Sequence, residues 1–274
     1  MATGFRFDHC TAVITGASSG LGAEFARQLA PQAKTLLLAA RREEALSEVK
    51  AQLLAEHPAL TVHVCVADIG TEAGRARLIA AVDESGLKPN LLINNAGVGD
   101  YGSFTSADEA RLRGQIELNI TAVVLLTQAM IPRLVATAER PAGVLNVSSL
   151  AGNLPMPDLA VYAASKSFVT SFTEALRIEL ADQHIIVSAV CPGPTPTNFG
   201  KNARRESGED TNRSGQGLLR VLPAVVVARG LRALAQREAA VFPGLGVSIV
   251  APLFRMMPRA LMRWLIERRH KKAA

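Results

Sequence analysis

Residues 11–22 read TAVITGASSGLG, an apolar run followed at once by a turn with three glycines. Gly16, Gly20 and Gly22 have the spacing GxxxGxG, and a helical pattern begins near residue 20. A tight turn between a strand and a helix N-terminus lets backbone N–H groups and the positive end of the helix dipole hold a pyrophosphate. This spacing differs from the commonest dinucleotide pattern, GxGxxG, so an ordinary glycine turn is the alternative interpretation.

Apolar runs alternate with longer helical patterns from this turn onward. Runs that are apolar throughout, rather than at every second position, are typical of strands buried on both faces of a parallel sheet. Sustained alternation of strands and helices predicts an α/β fold with a single doubly wound parallel sheet, Rossmann-like, and helices on both faces. The predicted strands are 11–15, 35–40, 62–67, 91–94, 143–149 and 185–191. Single helices are predicted near 20–30, 43–56, 72–85 and 160–181, and more than one helix across roughly 106–138.

The composition is that of a globular chain. Of 274 residues, 49% are apolar and 20% are charged, which excludes collagen-like and low-complexity chains. The N-terminus lacks the apolar core of a signal peptide. The most apolar stretch, 241–254, is broken by Pro and Gly and is shorter than the roughly 20 residues of a membrane span. We therefore expect a soluble, cytoplasmic protein with one domain over residues 1–250 and a helical extension over 251–274.

Three cysteines and five histidines are dispersed along the chain. Cys10, Cys65 and Cys191 each lie in an apolar, strand-like run, and no pair has the CxxC spacing. We therefore predict buried, reduced thiols and no metal site.

The positive charge is concentrated at the C-terminus. The whole chain has a net charge of +6, and residues 255–274 hold seven Lys/Arg against one acid, Glu267. The first 254 residues have 23 basic and 23 acidic side chains. The charge therefore gives no general argument for nucleic-acid binding, and none is expected.

A basic but largely apolar helix is predicted from Pro258 to about His270. Arg259, Arg263, Glu267 and His270 share one polar stripe, and apolar side chains cover the rest of the helix surface. Three interpretations stay open: packing against the body or a second subunit, peripheral contact with an anionic membrane, or binding of an acidic substrate such as an acyl carrier.

One internal region, residues 198–217, is polar and rich in Gly and Ser. It follows the sixth predicted strand, at the sheet edge where ligands bind in doubly wound folds. The pattern is typical both of a disordered surface loop and of a mobile lid over a ligand site.

The end of the second predicted strand reads Ala39-Ala40-Arg41-Arg42. Dinucleotide folds that bind NAD usually place an acid here, on the ribose 2′-hydroxyl. This stretch has no acid, and a guanidinium group can donate two hydrogen bonds at once to a 2′-phosphate. We therefore predict NADP(H) rather than NAD, with two exposed arginines at the start of the next helix as the alternative.

Tyr162 and Lys166 lie four residues apart on a predicted helix and so share one face. A phenol with a pKa of about 10 is a poor acid at neutral pH, and a nearby ammonium group lowers that pKa by stabilising the phenolate. Ser149 ends the fifth predicted strand and can donate a hydrogen bond to a carbonyl oxygen that gains negative charge. A lone YxxxK is common by chance, so the interpretation depends on the serine and the glycine turn.

With these motifs the chain resembles the short-chain dehydrogenase/reductase family over roughly residues 8–200. Several separate motifs occur in the order and spacing of that family. They are TGASSGLG (15–22), ADI (67–69), NNAG (94–97), Asn119 in ELNIT, Ser149 in NVSSLAG, YAASK (162–166) and PGPTPT (192–197).

The resemblance implies a role for each catalytic residue. Tyr162 is the proton donor in reduction, and Lys166 lowers its pKa and holds the nicotinamide ribose. Ser149, rather than the neighbouring Ser148, polarises the substrate carbonyl, and Asn119 keeps a water in place for proton relay.

The resemblance also implies the cofactor contacts. The glycine turn lines the pyrophosphate, Ser18 and Arg41 hold the 2′-phosphate, and Thr195 and Thr197 fix the carboxamide. The full set expected at the cofactor is Gly16, Ser18, Ser19, Gly20, Leu21, Gly22, Arg41, Arg42, Asp68, Ile69, Asn95, Ala96, Gly97, Tyr162, Lys166, Pro192, Gly193, Thr195 and Thr197.

The expected activity is NADPH-dependent reduction of a bulky or apolar ketone or aldehyde. Loops 98–104 and 153–157 and Phe199 should border the substrate, and they offer apolar groups and no fixed cation. A 3-oxoacyl thioester reductase is the alternative, and a non-catalytic NADP-sensing scaffold is a more distant one. The resemblance also implies a homodimer or homotetramer, although the family's usual C-terminal ending is absent from this sequence.

Overall fold

Seven strands form one sheet in the computed structural model, which describes residues 3–203, 205 and 217–271. The strands are β1 (Thr11–Thr15), β2 (Thr35–Ala40), β3 (Thr61–Val66), β4 (Leu91–Asn94), β5 (Ala142–Val147), β6 (Ile185–Val190) and β7 (Ala240–Val241). Across the sheet they follow the order β3-β2-β1-β4-β5-β6-β7, and every adjacent pair is parallel.

Helices cover both faces of this sheet. On one face Phe25 and Leu29 are buried with Leu234, and on the other Leu78 is buried with Leu126. This arrangement confirms the predicted doubly wound α/β class. The helices are α1 (Gly20–Leu29), α2 (Glu43–Glu56), α3 (Glu72–Glu84), α4 (Glu109–Ile116), α5 (Ala122–Met130), α6 (Ala160–Glu179), α7 (Phe199–Ala203), α8 (Pro223–Ala235), α9 (Leu245–Met256) and α10 (Arg259–Lys271).

The strand order reverses its direction between β1 and β4. The chain moves outward from β1 through β2 to β3, and it then returns to add β4 on the other side of β1. The connections that leave β1 and β4 therefore diverge and open a crevice at the carboxyl ends of these strands. The glycine turn (residues 15–22) and the NNAG segment (94–97) both lie at this crevice.

A buried polar network links the centre of the sheet to the helices above it. Asn94 on β4 donates from Nδ2 to Thr127 Oγ1 and to Asn146 Oδ1, both at 2.9 Å. Asn146 on β5 then donates to Thr173 Oγ1 of α6 at 2.9 Å. Because each of these side chains is satisfied, the network joins β4, β5, α5 and α6 without leaving a buried polar group exposed to an apolar core.

The helices predicted across roughly 106–138 are α4 and α5 in the structure. Between α4 and α5 the residues Glu117–Thr121 form a π-helical turn, and a 3-10 turn at Ile131–Arg133 ends the segment, so residues 134–138 are not helical. The predicted strand 143–149 also ends early, at Val147. The Ser149 hydroxyl accepts the N–H of Ala151 at 3.1 Å and caps the next 3-10 turn, which takes the backbone out of the sheet.

The continuous helical segment Glu109–Arg133 has the length and apolar composition of a helix that could cross a membrane. In this fold it packs against α3 and α6, and Asn119 and Thr127 on it are buried in hydrogen bonds to the rest of the domain. The pair Leu245–Phe254 and Arg259–Arg268 passes the same test only when taken together across a 120° bend.

The C-terminal part contains more structure than the sequence pattern predicts. The short strand β7 extends the sheet beyond β6, and it has no counterpart among the predicted strands. The predicted start of the extension, residue 251, falls inside α9, whereas α10 coincides closely with the helix predicted over 258–270. Residues 272–274 of that extension lie outside the described residues.

The three cysteines are buried, as predicted, and no disulfide joins them. Burial raises the pKa of the Cys10 thiol to about 12, so this group stays a neutral thiol under ordinary conditions. Among the described residues, no group of three or more His, Cys, Asp or Glu side chains is placed to hold a metal ion.

We predict that Asn146→Ala lowers the free energy of unfolding by about 3 kcal/mol, because it leaves polar partners on β4 and α6 buried without their hydrogen bonds. Urea denaturation followed by circular dichroism measures this loss. Asn202→Ala, at an exposed position on α7, is the matched control and should change stability by less than about 0.5 kcal/mol. Equal effects of the two substitutions would contradict the proposed importance of the network.

Candidate active site

The glycine turn brings three backbone segments closer together than a side chain allows. A Cβ atom on Gly22 would overlap the carbonyl oxygen of Gly16, and one on Gly16 would lie 2.9 Å from the Cα of Ala96. Gly16 and Gly20 also have positive φ angles of 67° and 58°, which glycine adopts readily. The first turn of α1 is thereby held directly against the end of β1, with its N-terminus at the crevice.

Thr15 and Asn95 fix the turn to the neighbouring strand. The Thr15 hydroxyl accepts the N–H groups of Asn95 and Ala96 at 3.0 and 3.1 Å, and Asn95 Nδ2 donates to the Thr15 carbonyl at 2.8 Å. Asn95 also reaches the Gly16 carbonyl at 3.3 Å. The amide of Asn95 therefore supports the turn, a role that the NNAG motif alone did not reveal.

The two arginines after β2 occupy different positions. Arg42 donates from Nη2 to the hydroxyls of Ser18 and Ser19 at 3.3 and 3.1 Å. Arg41 lies on the other side, with Nη1 3.7 Å from Asp68 Oδ2, and both side chains of this pair are largely exposed. The structure thus places Arg42, rather than Arg41, beside the serines of the glycine turn, and it places Arg41 beside the predicted adenine segment.

The predicted catalytic residues come together at the carboxyl end of β5. Ser149 lies two residues after the end of this strand, and its side chain hydrogen-bonds the phenol of Tyr162 on α6. Lys166 lies one turn further along α6, with Nζ 5.8 Å from the centre of the Tyr162 ring. Ser148 points elsewhere: it is buried against α6 and hydrogen-bonds the Thr170 hydroxyl at 2.7 Å and the Lys166 carbonyl at 2.8 Å.

Burial dominates the electrostatics of this pair. Lys166 is only 5% exposed, and burial lowers the pKa of its ammonium group to about 8. Its Nζ donates to the Val147 carbonyl at 2.9 Å, which satisfies one of its protons. Burial raises the pKa of the Tyr162 phenol, although the hydrogen bond with Ser149 lowers it in part. The predicted lowering of the tyrosine pKa by Lys166 stays a prediction.

Asn119 lies in the π-helical turn and is completely buried beside this pair. Its Nδ2 donates to the Val98 carbonyl at 2.9 Å and to the Ser165 hydroxyl at 3.0 Å, while its Oδ1 accepts the Val98 N–H at 2.9 Å. A Cβ on Gly97 would lie 3.2 Å from Asn119 Oδ1 and 3.3 Å from Lys166 Nζ. Gly97 therefore leaves room where the two side chains meet, and Ser165 is a supporting residue that the sequence motifs did not identify.

Helix α7 lies against Tyr162, at the position where the sequence predicts the substrate. The ring of Phe199 on α7 lies 5.3 Å from the ring of Tyr162, and the Ala203 carbonyl at the end of α7 accepts the N–H of Tyr101 at 2.7 Å. Arg205 forms a two-point ion pair with the buried carboxylate of Asp100, at 2.6 and 3.0 Å. The hydrogen bond with Arg205 holds the pKa of Asp100 below its usual range, so the pair stays intact at neutral pH.

The contacts made by Phe199, Ala203 and Arg205 involve only part of the predicted lid over 198–217. Residues 198–203, 205 and 217 are described, whereas 204 and 206–216 lie outside the described residues. The ion pair was not predicted, because Asp100 and Arg205 are far apart in sequence and neither belongs to a motif.

The remaining predicted cofactor residues line the same edge. Thr197 lies over the glycine turn, since a Cβ on Gly20 would be 3.4 Å from the Thr197 side chain. Thr195 donates its hydroxyl proton to the Gly193 carbonyl at 3.0 Å, and the Pro192 carbonyl accepts the N–H of Leu150 at 2.9 Å. The segment after β6 is thereby tied to the segment that carries Ser149.

We predict that the cofactor-free protein reveals the buried ammonium group of Lys166 through the pH dependence of its stability. The unfolded chain holds this proton up to a pKa of about 10.5 and the folded chain only up to about 8, so the unfolded state binds more protons between these values. Stability contributed by this residue therefore rises with pH in that window. Relative to Lys166→Met, the wild type should gain about 2 kcal/mol between pH 8 and pH 9.5.

Chemical denaturation at pH 7, 8 and 9.5 measures this difference. Lys34→Met, which removes an exposed ammonium group, is the matched control for the loss of one positive charge. A constant difference between Lys166→Met and the wild type across the series would contradict the lowered pKa.

The sequence model of the short chain dehydrogenase family matches residues 10–208. Sulfoacetaldehyde reductase 2 of Chromohalobacter salexigens is 36% identical over 68% of this chain and 73% of its own length. A very-long-chain 3-oxoacyl-CoA reductase of Kluyveromyces lactis is 35% identical over 65% of this chain and 53% of its own length, so the chain spans about half of that relative.

Solved structures with the same architecture cover almost the whole chain. A short-chain dehydrogenase from Sphingobium yanoikuyae in complex with NADPH has a TM-score of 0.74 at 27% identity and covers 92% of this chain and 97% of its own. A short chain dehydrogenase/reductase from Burkholderia phymatum in complex with NAD has a TM-score of 0.77 at 27% identity, covering 92% and 94%. A bulky-bulky ketone specific alcohol dehydrogenase from Comamonas testosteroni has a TM-score of 0.73 at 26% identity, covering 92% and 96%. By its sequence, its sheet and the arrangement of Ser149, Tyr162 and Lys166, the chain belongs to the short-chain dehydrogenase family of oxidoreductases, which act on carbonyl and alcohol groups.

Proposed function

We propose that this protein is an NADPH-dependent reductase of bulky or apolar ketones and aldehydes. The observation that supports this most directly is the convergence of Ser149, Tyr162 and Lys166 at the sheet edge that also holds the glycine turn. A non-catalytic scaffold has no need for this set, so the complete set argues against that alternative.

The residues at the crevice fit a nicotinamide dinucleotide. The close approach of Gly16 and Gly22 leaves the first turn of α1 open to a pyrophosphate at its N-terminus, and the hydroxyls of Ser18 and Ser19 stand beside it. Asp68, Ile69 and the segment 95–97 would flank the adenosine, and Thr195 and Thr197 would hold the carboxamide. When bound in its reduced form, this cofactor supplies the hydride.

Side chains of the protein are proposed to donate the proton that the reduction requires. Ser149 donates a hydrogen bond to the substrate carbonyl oxygen and raises its affinity for negative charge. Tyr162, kept protonated at neutral pH by burial, gives its proton to the same oxygen, and the ammonium group of Lys166 stabilises the resulting phenolate. Asn119 is proposed to hold a water through which the phenol regains its proton from solvent.

We predict that Tyr162→Phe lowers kcat by at least about 1000-fold and leaves the Kd of NADPH within about threefold, because it removes the transferred proton and keeps the ring. NADPH oxidation over a panel of hydrophobic ketones, aldehydes and 3-oxoacyl thioesters measures kcat, and quenching of cofactor fluorescence measures Kd. Retained turnover in this variant would exclude Tyr162 as the proton donor. Lys34→Met is the control, since Lys34 is exposed and precedes β2, at the end of the sheet opposite the carboxyl edge.

Arg41 and Arg42 are proposed to select NADPH over NADH. Arg42 stands against the serines of the glycine turn, and Arg41 is exposed on the other side, 3.7 Å from Asp68 of the predicted adenine segment. Two guanidinium groups around one position suit a 2′-phosphate, which has two negative charges. The Sphingobium yanoikuyae structure is a complex with NADPH and supports NADPH as the cofactor, whereas the Burkholderia phymatum structure is a complex with NAD. The substitutions described below distinguish the two cofactors.

We predict that Arg42→Gln raises the KM for NADPH by roughly 10- to 100-fold and leaves the KM for NADH within about twofold, since a charge-assisted hydrogen bond is worth about 1.5–3 kcal/mol. Arg41→Gln, measured in parallel, shows how the phosphate is shared between the two groups. Arg113→Gln, an exposed arginine on α4, is the control. Equal use of the two cofactors by the wild type would exclude the NADPH preference and leave the catalytic residues unaffected.

An apolar substrate is supported by the walls of the site. Phe199 packs on the ring of Tyr162, and Phe104 on the neighbouring loop is 63% exposed. The Comamonas testosteroni structure is described as specific for bulky-bulky ketones, which is consistent with an open apolar pocket. Reduction of a 3-oxoacyl thioester is the second candidate, favoured by the Kluyveromyces lactis relative and by the basic C-terminus.

Exposed apolar side chains on α5 and α6 bear on how the protein assembles. Leu125 on α5 and Phe168 on α6 are about 40% exposed, and Phe168 stacks on Phe172 at 5.9 Å. Such an exposed apolar face on adjacent helices supports a homodimer or homotetramer. We propose a cytoplasmic protein with peripheral membrane contact through the basic C-terminal helix.

A further inference from the structure

We propose that α9 and α10 together form a surface that docks on anionic lipid bilayers and brings the active site to a substrate dissolved in the membrane. The docking face is defined by Leu245, Ile249, Leu253 and Met256 on α9 and by Leu261, Trp264 and Leu265 on α10. The part of this inference that concerns substrate delivery rests on the proposed reductase function, whereas the part that concerns lipid binding does not.

The α9 part of the docking face is an apolar stripe turned toward solvent. Leu245 and Met256 are 86% and 82% exposed, and Ile249 and Leu253 are 62% and 58% exposed. Their spacing of four, four and three residues places them on one side of the helix. The opposite side carries Val247 and Ala251, which are completely buried, so α9 is already anchored to the domain by its inner face.

The α10 part adds an aromatic side chain and positive charge. Leu261, Trp264 and Leu265 lie on one side of the helix and are each about 45% exposed. Arg268 stacks its guanidinium group over the Trp264 ring, 4.0 Å from the ring centre. A tryptophan with arginines around it is typical of helices that lie at the boundary between acyl chains and headgroups.

The charge of this region favours a bilayer over a second copy of the chain. Arg259 and Arg263 are exposed on α10, and residues 255–274 hold seven Lys/Arg against one acid. In a two-fold symmetric contact, the same surface of each copy would meet the other, and the guanidinium group of Arg268, which lies on the docking face over Trp264, would be brought into a contact that is positively charged on both sides. An anionic bilayer binds both the apolar stripe and the cations. Each Lys or Arg near the membrane surface contributes about 1 kcal/mol to the free energy of binding.

The position of α9 connects the docking face with the reaction. The helix begins just after β7, at the carboxyl edge of the sheet, and it packs against the 3-10 turn Leu150–Asn153 that follows Ser149. Val247 of α9 also contacts the backbone at Gly193 closely enough that a Cβ there would lie 2.8 Å from its side chain. Docking would therefore place the sheet edge that holds Ser149 near the membrane. The substrate class that we infer from this position is a carbonyl compound that partitions into lipid.

The test uses the full chain and vesicles of phosphatidylcholine with or without about 30% phosphatidylserine. Trp264 is the single tryptophan of the chain, so its emission reports on this surface alone. We expect a blue shift and quenching by brominated lipid with the anionic vesicles, and loss of both at 0.5 M salt, where charge attraction is screened.

Two sets of variants separate the apolar and charged contributions. Ile249→Glu combined with Leu253→Glu should weaken vesicle binding by at least about tenfold, and so should Arg259→Glu combined with Arg263→Glu. Val135→Glu is the matched control, since Val135 is 49% exposed on a loop before β5, away from both helices. It should bind vesicles like the wild type.

Two results would overturn the docking proposal. One is the absence of both co-sedimentation and a spectral shift with anionic vesicles. The other is a concentration-dependent oligomer, seen by sedimentation velocity without lipid, that Ile249→Glu with Leu253→Glu dissolves; the docking face would then be a contact between copies.

Turnover of a water-soluble ketone in the same preparations distinguishes this inference from the proposed function. Absence of turnover with intact vesicle binding would remove the reductase proposal and support docking alone. Given turnover, a long-chain ketone dissolved in vesicles should lose at least about fivefold in kcat/KM in the double glutamate variant on α9, with the soluble ketone unchanged. Equal kcat/KM for the dissolved ketone would contradict delivery from the membrane.

Discussion

The close contact between the glycine turn and the start of α1 is the constraint on which the rest of the site depends. Gly22 must pass directly over the Gly16 carbonyl, so α1 is held against the end of β1. Thr15 and Asn95 then join this turn to the segment after β4, across the point where the strand order reverses. A crevice with exposed helix N–H groups follows from parallel strands whose connections diverge, and the remaining functional segments are arranged along its edge.

A second constraint is the burial of polar groups beside the crevice. Lys166 and Asn119 lie in positions where an unsatisfied polar atom would cost several kcal/mol, and both are satisfied mainly by backbone atoms of Val147 and Val98. These hydrogen bonds fix where the side chains point before any ligand arrives. The lowered pKa of Lys166 and the raised pKa of Tyr162 arise from the same burial, so the electrostatics of the site is a consequence of its packing.

The substrate side and the C-terminal surface depend on contacts between segments that are distant in sequence. The ion pair of Asp100 with Arg205 joins the loop after β4 to the segment after α7, and Phe199 on α7 lies against the ring of Tyr162. On the same edge, α9 buries one apolar face against the domain and turns another toward solvent. Both features support the proposed reduction of a lipophilic carbonyl compound that is delivered from a membrane.

The sequence by itself determined the α/β class, six of the strands and the identity of the serine, tyrosine and lysine, because hydrophobic periodicity and motif spacing are local properties of a chain. It also distinguished Ser149 from Ser148 through the family pattern. Only the tertiary structure placed Arg42 rather than Arg41 beside Ser18, put Asn119 in a π-helical turn between α4 and α5, and added β7. It alone joined Asp100 to Arg205, since such pairs depend on how loops meet in space and leave no periodic signal in the sequence.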